Sequence, residues 1–246
     1  MKTRLDKLLL LKNLAPTRQK AQALIGAGQV LVAGEVADKA GTLYALDADI
    51  EVKEASPYVS RGGLKLARGL DFFGLDPAGL VCLDIGASTG GFTDCLLQHG
   101  ARRVYSVDVG YGQLAWSLRQ DARVTVMERT NARHLTPADF PEPVDLAVID
   151  AAFISLKLLL PPLLPLFRDR DTIAILALIK PQFEVGKGKV GKGGVVRDPE
   201  LHREVIEEIV AFAATLDLQN RGVTDSPILG PKGNREFLIH LVGEKK

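Results

Sequence analysis

The sequence predicts an α/β fold: a doubly wound, mostly parallel seven-stranded sheet, preceded by a small amino-terminal α+β domain. Beyond residue 60, short apolar strand patterns alternate with amphipathic helix patterns, as is typical of parallel sheets covered by helices. The last two strand patterns are joined by a turn rich in glycine and proline, which indicates an antiparallel hairpin at the sheet edge. The chain has 246 residues, of which 46% are hydrophobic, enough for two unequal cores.

The first fifty residues predict two short helices followed by strands. "RLDKLLLLKNLA" places apolar residues on one helical face, and Pro16 interrupts the pattern. "TRQKAQALIGAG" restarts it, with Thr17 as the N-cap and Gly26 or Gly28 as the stop. "QVLVAG" and "ADIEV" are strand patterns, with a turn at Gly34. The polar segment "KEASPYV" indicates a linker, so we predict a first domain at residues 1–54, a linker at 55–60 and a second domain at 61–246.

The second domain contains the alternating elements. Strands are predicted at residues 81–84, 103–108, 124–127, 145–150 and 172–179, and helices at 91–99, 112–119 and 199–215. "LQNRGVTDS" and "REFLIHLVG" then pair through the turn at residues 226–233.

A glycine-rich turn follows the first strand of this domain, in "VCLDIGASTGGFTDCLLQHG". Gly86, Gly90 and Gly91 allow a sharp turn and a close approach of a ligand to the backbone, in front of a helix N-terminus. Asp108 ends the next strand, where an acid can bind both hydroxyls of a ribose. The NAD spacing G-x-G-x-x-G is absent. The pattern favours a nucleoside-type ligand, and a purely structural turn is the alternative.

The segment at residues 186–192 nearly matches a phosphate-binding P-loop. That motif requires Ser or Thr after its lysine and a direct connection from a strand, but Gly193 follows Lys192 here. A nucleotide triphosphatase is therefore excluded. Lys187, Lys189 and Lys192 instead predict a mobile basic loop that grips RNA phosphates or closes over substrate, and a merely solvated loop is the alternative.

Two charged residues end buried strand patterns: Asp150 after "VDLAVI" and Lys180 after "TIAILALI". In doubly wound sheets the carboxyl ends of strands face the ligand crevice. Lys65 lies on the helix pattern before the first strand, and Glu236 opens the last strand. Each of the four taken alone also fits a surface charge or a helix-end partner.

The amino-terminal pattern resembles the alpha-L RNA-binding domain of a ribosomal protein and of pseudouridine synthases. The resemblance rests on "RLDKLL" and "TRQKAQALIGAGQVLVAG". It implies a surface for structured RNA on the helix pair, with Arg4, Arg18 and Lys20 near phosphates. Residues 1–34 carry six basic residues against one acid, Asp6, as expected for a partner that is a polyanion.

The run D-I-G-A-S-T-G-G-F, together with Asp108, resembles the cofactor site of class I methyltransferases. The resemblance implies S-adenosyl-L-methionine as the cofactor. It also implies a set of binding residues on the glycine turn and on the ends of the following strands: Asp84, Gly86, Ala87, Ser88, Thr89, Gly90, Gly91, Phe92, Asp108, Glu128 and Asn131.

Lys65, Asp150, Lys180 and Glu236 resemble the K-D-K-E tetrad of FtsJ-like ribose 2′-O-methyltransferases. With "SRGGLKL", "ERTN", "IKPQFE" and "NREF", the whole chain resembles the TlyA family of rRNA cytidine 2′-O-methyltransferases, also labelled haemolysin A. The resemblance implies ribosomal RNA or a ribosomal subunit as partner. Because the chain begins almost at the RNA-binding motif, it further suggests the large-subunit rRNA alone. Ala152 stands where the family usually has serine.

Transfer of a methyl group to a ribose hydroxyl requires that the hydroxyl lose its proton. On the tetrad hypothesis, Lys180 acts as base or oxyanion stabiliser, and Lys65 supplies a like charge that lowers the pKa of Lys180. Asp150 and Glu236 orient both lysines. Arg61 contacts RNA, and the scheme requires no metal.

Each of three other functions requires a feature by which it can be distinguished from a methyltransferase. A membrane-active haemolysin needs a spanning or strongly cationic amphipathic helix, and no apolar run reaches about 18 residues. A non-catalytic RNA-binding or ribosome-assembly module would not bind S-adenosylmethionine. An NAD-dependent enzyme requires the other glycine spacing. Two cysteines without paired spacing and the lack of a signal peptide predict a cytoplasmic location.

Overall fold

The computed structural model describes residues 2–26, 28–52, 57–186, 188, 190, 191 and 193–243. The basic-loop residues Lys187, Lys189 and Lys192 therefore lie outside the described residues. The chain divides into two compact units, Met1–Ser56 and Pro57–Lys246, which are described separately.

The first unit combines two helices with short strands: β1 Lys2–Arg4, α1 Leu5–Leu11, α2 Arg18–Gly26, β2 Val30–Val32, β3 Glu35–Val36, β4 Leu43–Ala45 and β5 Ile50–Val52. As predicted, Thr17 caps α2, since its Oγ1 accepts a hydrogen bond from the Lys20 amide at 3.1 Å. Strand β1 pairs antiparallel with β4, and the other strands form a sheet in the order β3-β2-β5. Strand β1 was not predicted, because three residues carry too little alternation to be recognised.

The helix pair of the first unit packs its apolar faces onto this small sheet. Leu5 and Leu9 of α1, Ile25 of α2 and Val30 of β2 are fully buried in one cluster. Helix α1 ends before Asn13, because the φ of Asn13 is 57° and therefore left-handed. The observed helix is thus shorter than the helix predicted over residues 4–15. The unit thus has its own core.

The second unit contains one large sheet and its helices: α3 Gly62–Phe73, β6 Val81–Ile85, α4 Gly91–Gln98, β7 Arg103–Val107, α5 Trp116–Arg119, β8 Val124–Met127, β9 Leu146–Ile149, α6 Leu156–Leu163, β10 Ala174–Ile179, α7 Pro181–Glu184, α8 Pro199–Ala214, β11 Leu218–Asp225 and β12 Phe237–Gly243. Short 3₁₀ turns span Ala132–His134, Pro137–Asp139, Leu164–Leu166, Arg170–Thr172 and Pro231–Gly233.

The seven strands lie in the order β11-β12-β10-β9-β6-β7-β8. Strands β10, β9, β6, β7 and β8 are mutually parallel, whereas β12 runs antiparallel to both β10 and β11. The predicted doubly wound sheet with a terminal hairpin is therefore confirmed. Its strand order reverses beside β6, so the ends of β6 and β9 meet at the crevice where such folds bind ligands.

Helices α5, α6 and α7 of the second unit differ from the sequence prediction, and the four-residue helix α7 was not predicted. The helix expected at residues 112–119 begins only at Trp116, because Gly112 has a left-handed φ of 75° and Ala115 is extended. Helix α6 was not predicted, since Pro161 and Pro162 lie inside it. It forms nevertheless, because Ser155 caps its first turn and its apolar face is buried.

Apolar side chains cover both faces of the sheet. One cluster contains Leu83, Ile149 and helix α6 residues such as Leu160, and the other contains Leu66, Leu96 and Leu176.

Across the described residues, no helix has the length and apolar character that crossing a membrane would require.

Candidate active site

The glycine turn after β6 is pressed against the end of β9. Gly86 has a φ of 84°, and a Cβ atom there would lie 2.8 Å from the carbonyl oxygen of Asp150. A Cβ atom on Gly91 would lie 2.2 Å from Oγ of Ser60. Only glycine permits this backbone approach. The turn therefore places the amino end of α4 and the carboxyl end of β9 around one crevice.

The larger of two adjoining cavities in this crevice has a volume of about 580 Å³, and we call it the Asp108 cavity. The Asp108 carboxylate is held in place by its own neighbours: Oδ2 accepts from the Ser88 amide at 2.8 Å, and Oδ1 accepts from the Gly110 amide at 2.6 Å. Other lining residues are mainly apolar and include Ile85, Gly86, Val107, Gln113, Asn131, Ala132, Ala152 and Leu159. A fixed acid beside an apolar wall suits a nucleoside.

Three residues predicted for cofactor binding line neither this cavity nor its neighbour. Glu128 instead accepts from the Gly112 amide at 2.9 Å and pairs with Arg119, and this pairing holds the pKa of the Glu128 carboxyl below its usual range. Gly90, with a φ of 96°, faces Leu118, whose Cδ1 would lie 2.2 Å from an added Cβ. These residues support the walls of the crevice from behind.

Asp84 is the third of these residues, and it is fully buried beneath the glycine turn. Its Oδ2 accepts from Oγ1 of Thr93 at 2.7 Å, and Thr93 also shares a hydrogen bond with Ser106. Burial raises the pKa of Asp84 to about 7. Asp84 joins β6 to α4 and lines neither cavity, and its contact with a cofactor stays a prediction.

The second cavity has a volume of about 360 Å³, and we call it the tetrad cavity. It shares Gly86, Ser88, Asp150 and Ala152 with the Asp108 cavity. Its remaining walls come from the start of α3, the glycine turn, the end of β10 and the segment before β12: Ser60, Arg61, Gly62, Lys65, Ala87, Thr89, Gly91, Phe92, Lys180, Ile228, Leu229, Gly230 and Pro231.

The four tetrad residues converge although they lie on four different elements. Nζ of Lys180 lies 2.5 Å from Oδ1 of Asp150, and Nζ of Lys65 lies 3.9 Å from Oδ2 of the same carboxylate. Nζ of Lys65 also lies 2.6 Å from Oε2 of Glu236. The ammonium and carboxylate groups therefore alternate, and each charge has an opposite charge beside it. Such pairing offsets the cost of burying charges.

Two features keep this arrangement in place. Lys180 also donates to the main-chain oxygen of Asp150 at 3.3 Å, so two of its three N–H donors contact the end of β9. Oε1 of Glu236 is buried without a hydrogen-bond partner among the described residues, and it faces Gly230, where an added Cβ would lie 2.0 Å away. Gly230 therefore leaves the room that the Glu236 carboxylate occupies.

The predicted RNA-contacting residues fall in both units. Arg4 ends β1 directly before α1, whereas Arg18 and Lys20 are on α2, and Lys20 is exposed. Arg61 is exposed on the wall of the tetrad cavity.

Among the described residues, no group of three His, Cys, Asp or Glu side chains could hold a metal ion.

The fold and this geometry agree with comparisons to known proteins. Residues 58–242 match the FtsJ-like methyltransferase family, and residues 3–50 match the S4 domain family. The chain is 49% identical to the Mycobacterium tuberculosis 16S/23S rRNA (cytidine-2'-O)-methyltransferase TlyA over 98% of its own length and 90% of the relative. The chain belongs to the TlyA family of FtsJ-like methyltransferases.

Other TlyA-like proteins match over most of their length. Hemolysin A of Brachyspira hyodysenteriae is 40% identical, with 97% of this chain and 99% of the relative covered. A solved structure from Streptococcus thermophilus that carries a hemolysin name is 43% identical, with a TM-score of 0.78 over 100% of this chain and 90% of the other. The predicted family and the prediction that the protein is a methyltransferase are confirmed.

Several cavity residues of this TlyA chain were not predicted from its sequence. Ser60, Ile228 and Leu229 line the tetrad cavity, and Gln113 and Thr130 line the Asp108 cavity. Ser60 and Thr130 lie in "SRGGLKL" and "ERTN", which carried the family resemblance but were not assigned to the site, whereas Gln113, Ile228 and Leu229 lie in loops without such a motif. A further available signal was Gly230-Pro231 ahead of Glu236, which marks a tight turn next to a tetrad residue.

Proposed function

We propose that this protein transfers a methyl group from S-adenosyl-L-methionine to the ribose 2′-hydroxyl of a cytidine in ribosomal RNA. The observation that carries the proposal is the alternating tetrad where the two cavities adjoin, with Asp150 and Gly86 in the wall of both. Relatives from Mycobacterium tuberculosis and Campylobacter jejuni are named rRNA (cytidine-2'-O)-methyltransferases.

The Asp108 cavity fits the proposed cofactor by the chemistry of its walls. Asp108 is anchored by two amides and can accept from the two ribose hydroxyls, while Val107, Ala132 and Leu159 offer an apolar surface for a base. Asn131 lies on the same wall. When bound, S-adenosylmethionine supplies an electrophilic methyl group on a positively charged sulfur.

Lys180 is proposed to handle the charge of the attacking oxygen. Two of the three N–H donors of Lys180 contact Asp150. Within the contacts of the described residues, the third donor is available for the substrate hydroxyl. A buried ammonium at this point stabilises negative charge on the ribose oxygen as the proton leaves. Asp150, already 2.5 Å from Lys180, fixes the direction of that donor.

Lys65 and Glu236 are proposed to position this pair. Lys65 contacts both carboxylates, and Glu236, 1% exposed, fixes Lys65 from the opposite side. A ribose hydroxyl that binds in such a prearranged site reacts as if the step were intramolecular, which is worth several kcal/mol of barrier.

The surface around the site suits a single-stranded or flipped nucleotide. Phe153 is 90% exposed on the wall of the Asp108 cavity and has a left-handed φ of 63°. An exposed aromatic ring at such a place can stack on a base. Arg61 at the tetrad cavity supplies positive charge for phosphates, and the first unit carries basic residues of its own.

Lys180→Ala tests the proposal. We expect it to abolish ribose methylation of rRNA, mapped by mass spectrometry, while the affinity for S-adenosylmethionine measured by calorimetry stays nearly unchanged. Lys157→Ala is the matched control, because Lys157 pairs with Glu208 in an exposed position. Retained turnover in Lys180→Ala would refute its role. No binding of S-adenosylmethionine by the unaltered protein would favour a non-catalytic RNA-binding module.

A further inference from the structure

A buried carboxylate, Asp6, lies between the two arginines of the first unit. Its side chain is fully buried on α1, and Nε of Arg18 donates to its Oδ2 at 2.9 Å. Arg4 donates to both oxygens, from Nε to Oδ1 and from Nη2 to Oδ2, each at 3.1 Å. Gln22 donates to Oδ2 at 3.0 Å. One carboxylate thus fixes two guanidinium groups from different elements.

Both arginines remain half exposed despite these contacts, with side-chain exposures of 43% for Arg4 and 49% for Arg18. Arg18 uses only Nε toward Asp6, so its two Nη groups stay available to solvent within the described contacts. Nη1 of Arg4 makes no hydrogen bond to Asp6 among the described contacts. It lies near Gly41, where an added Cβ would be 3.4 Å from it. The outward donors of both side chains therefore have fixed directions.

We propose that Asp6 is a positioning residue that holds Arg4 and Arg18 side by side as one phosphate-binding fork for an RNA strand. This inference rests on the proposed function, because it requires that RNA be the substrate. An arginine that is already ordered loses less side-chain entropy on binding than a free one. Its planar donors also match two oxygens of a phosphate.

The direction in which RNA affinity changes when Asp6 is neutralised distinguishes the positioning role from simple charge repulsion. A carboxylate near RNA phosphates repels them, so its removal alone should tighten binding. The hydrogen bonds from Arg4 hold the pKa of Asp6 well below its usual range, so the group is charged at neutral pH. If Asp6 instead serves binding by ordering the arginines, its neutralisation should weaken binding.

The experiment compares Asp6→Asn with Glu35→Gln, which removes one negative charge from an exposed position in the same unit. Affinity for a 23S rRNA transcript is measured by filter binding at several salt concentrations. We expect Asp6→Asn to weaken binding by about tenfold, the scale of one charge-assisted hydrogen bond. Glu35→Gln should leave affinity unchanged or slightly improved. Binding by Asp6→Asn as tight as, or tighter than, that of the unaltered protein would overturn the proposal.

A second pair of variants keeps the test valid if Asp6→Asn unfolds the first unit. Arg18→Lys and Arg4→Lys retain the charge, but a lysine cannot contact Asp6 and fork onto a phosphate together. We expect each to raise the KM for RNA in the methylation assay while kcat is unchanged, with the melting temperature monitored alongside. Unchanged KM values in both lysine variants would equally overturn the proposal.

Failure of the proposed function gives a different result, because the unaltered protein would then neither bind nor methylate the transcript. The alanine variants separately test the RNA surface of the first unit. If Arg4→Ala and Arg18→Ala bind the transcript as tightly as the unaltered protein, this surface is not the RNA site and Asp6 has no such role. If both weaken binding while Asp6→Asn tightens it, the RNA surface stands and only the positioning role fails.

Discussion

Nζ of Lys65 lies 2.6 Å from Oε2 of Glu236, although 171 residues separate them along the chain. The side chain of Lys65 is 9% exposed and that of Glu236 is 0% exposed. Removing one partner of such a buried pair leaves the other charge uncompensated, which is far more costly than replacing both with apolar groups. This contact joins α3 to β12 and completes the tetrad.

Glu236→Gln tests that dependence. We expect rRNA methylation to fall by about 100-fold, because Lys65 loses its fixed position. We also expect the free energy of unfolding in urea to fall by about 3 kcal/mol. The double variant Lys65→Met with Glu236→Leu should recover stability without recovering activity. Turnover of Glu236→Gln at the unaltered rate would contradict the proposed positioning.

Gly230→Ala should disturb the same carboxylate from the other side. The φ of Gly230 is −71°, so its backbone accepts alanine, but the new Cβ would lie 2.0 Å from Oε1 of Glu236. We expect methylation to fall by about tenfold or more, with a loss of stability of about 1 to 3 kcal/mol from overpacking. Gly26→Ala is the control, since a Cβ there meets no atom of the described residues within 4 Å. Full activity in Gly230→Ala would show that the carboxylate position is unimportant.

Asp108→Asn should weaken binding of S-adenosylmethionine by about 10 to 100-fold. Both carboxylate oxygens accept an amide N–H, and the NH₂ group of asparagine would face one of these donors. Isothermal titration calorimetry measures the effect. Glu128→Gln is compared with it because Glu128 supports the loop through Gly112 and Arg119 outside the cavity. A larger loss in Glu128→Gln than in Asp108→Asn would contradict the assignment.

Asp84 predicts a pH dependence of stability. Its pKa is raised from an ordinary value of 3.8 to about 7 by burial, so between these values the folded protein holds a proton that the unfolded chain has released. Its contribution is fully present below about pH 4, declines by as much as about 1.4 kcal/mol per pH unit as pH rises, and is lost above about pH 7. Asp84→Asn should lack this component. Urea unfolding at pH 5.5, 6.5 and 8 with identical pH slopes for both proteins would exclude it.

The sequence predicted the sheet because its strands are long apolar runs separated by glycine turns. Asp150 and Lys180 could be expected near each other from the residues alone, since parallel strands β9 and β10 end at one edge. Lys65 and Glu236 entered the predicted site only through the family resemblance. Their contact depends on how α3 packs against the sheet, which local patterns do not encode.

The errors have local physical causes. Helix α6 was missed because its prolines argue against a helix, whereas burial of Leu159 and Leu163 stabilises it. The prediction assigned Asp84 to the cofactor site because it lies next to the glycine turn. That assignment stays a prediction, and the structure adds that the Asp84 side chain contacts Thr93.

Gly86 and Asp150 line both cavities, and their backbones lie so close that an added Cβ on Gly86 would be 2.8 Å from the Asp150 carbonyl oxygen. A compound that joins a nucleoside by a short linker to a group that hydrogen-bonds Lys180 is therefore a rational design for a bisubstrate inhibitor. Any side chain at position 86 would push this backbone apart and change both cavities at once.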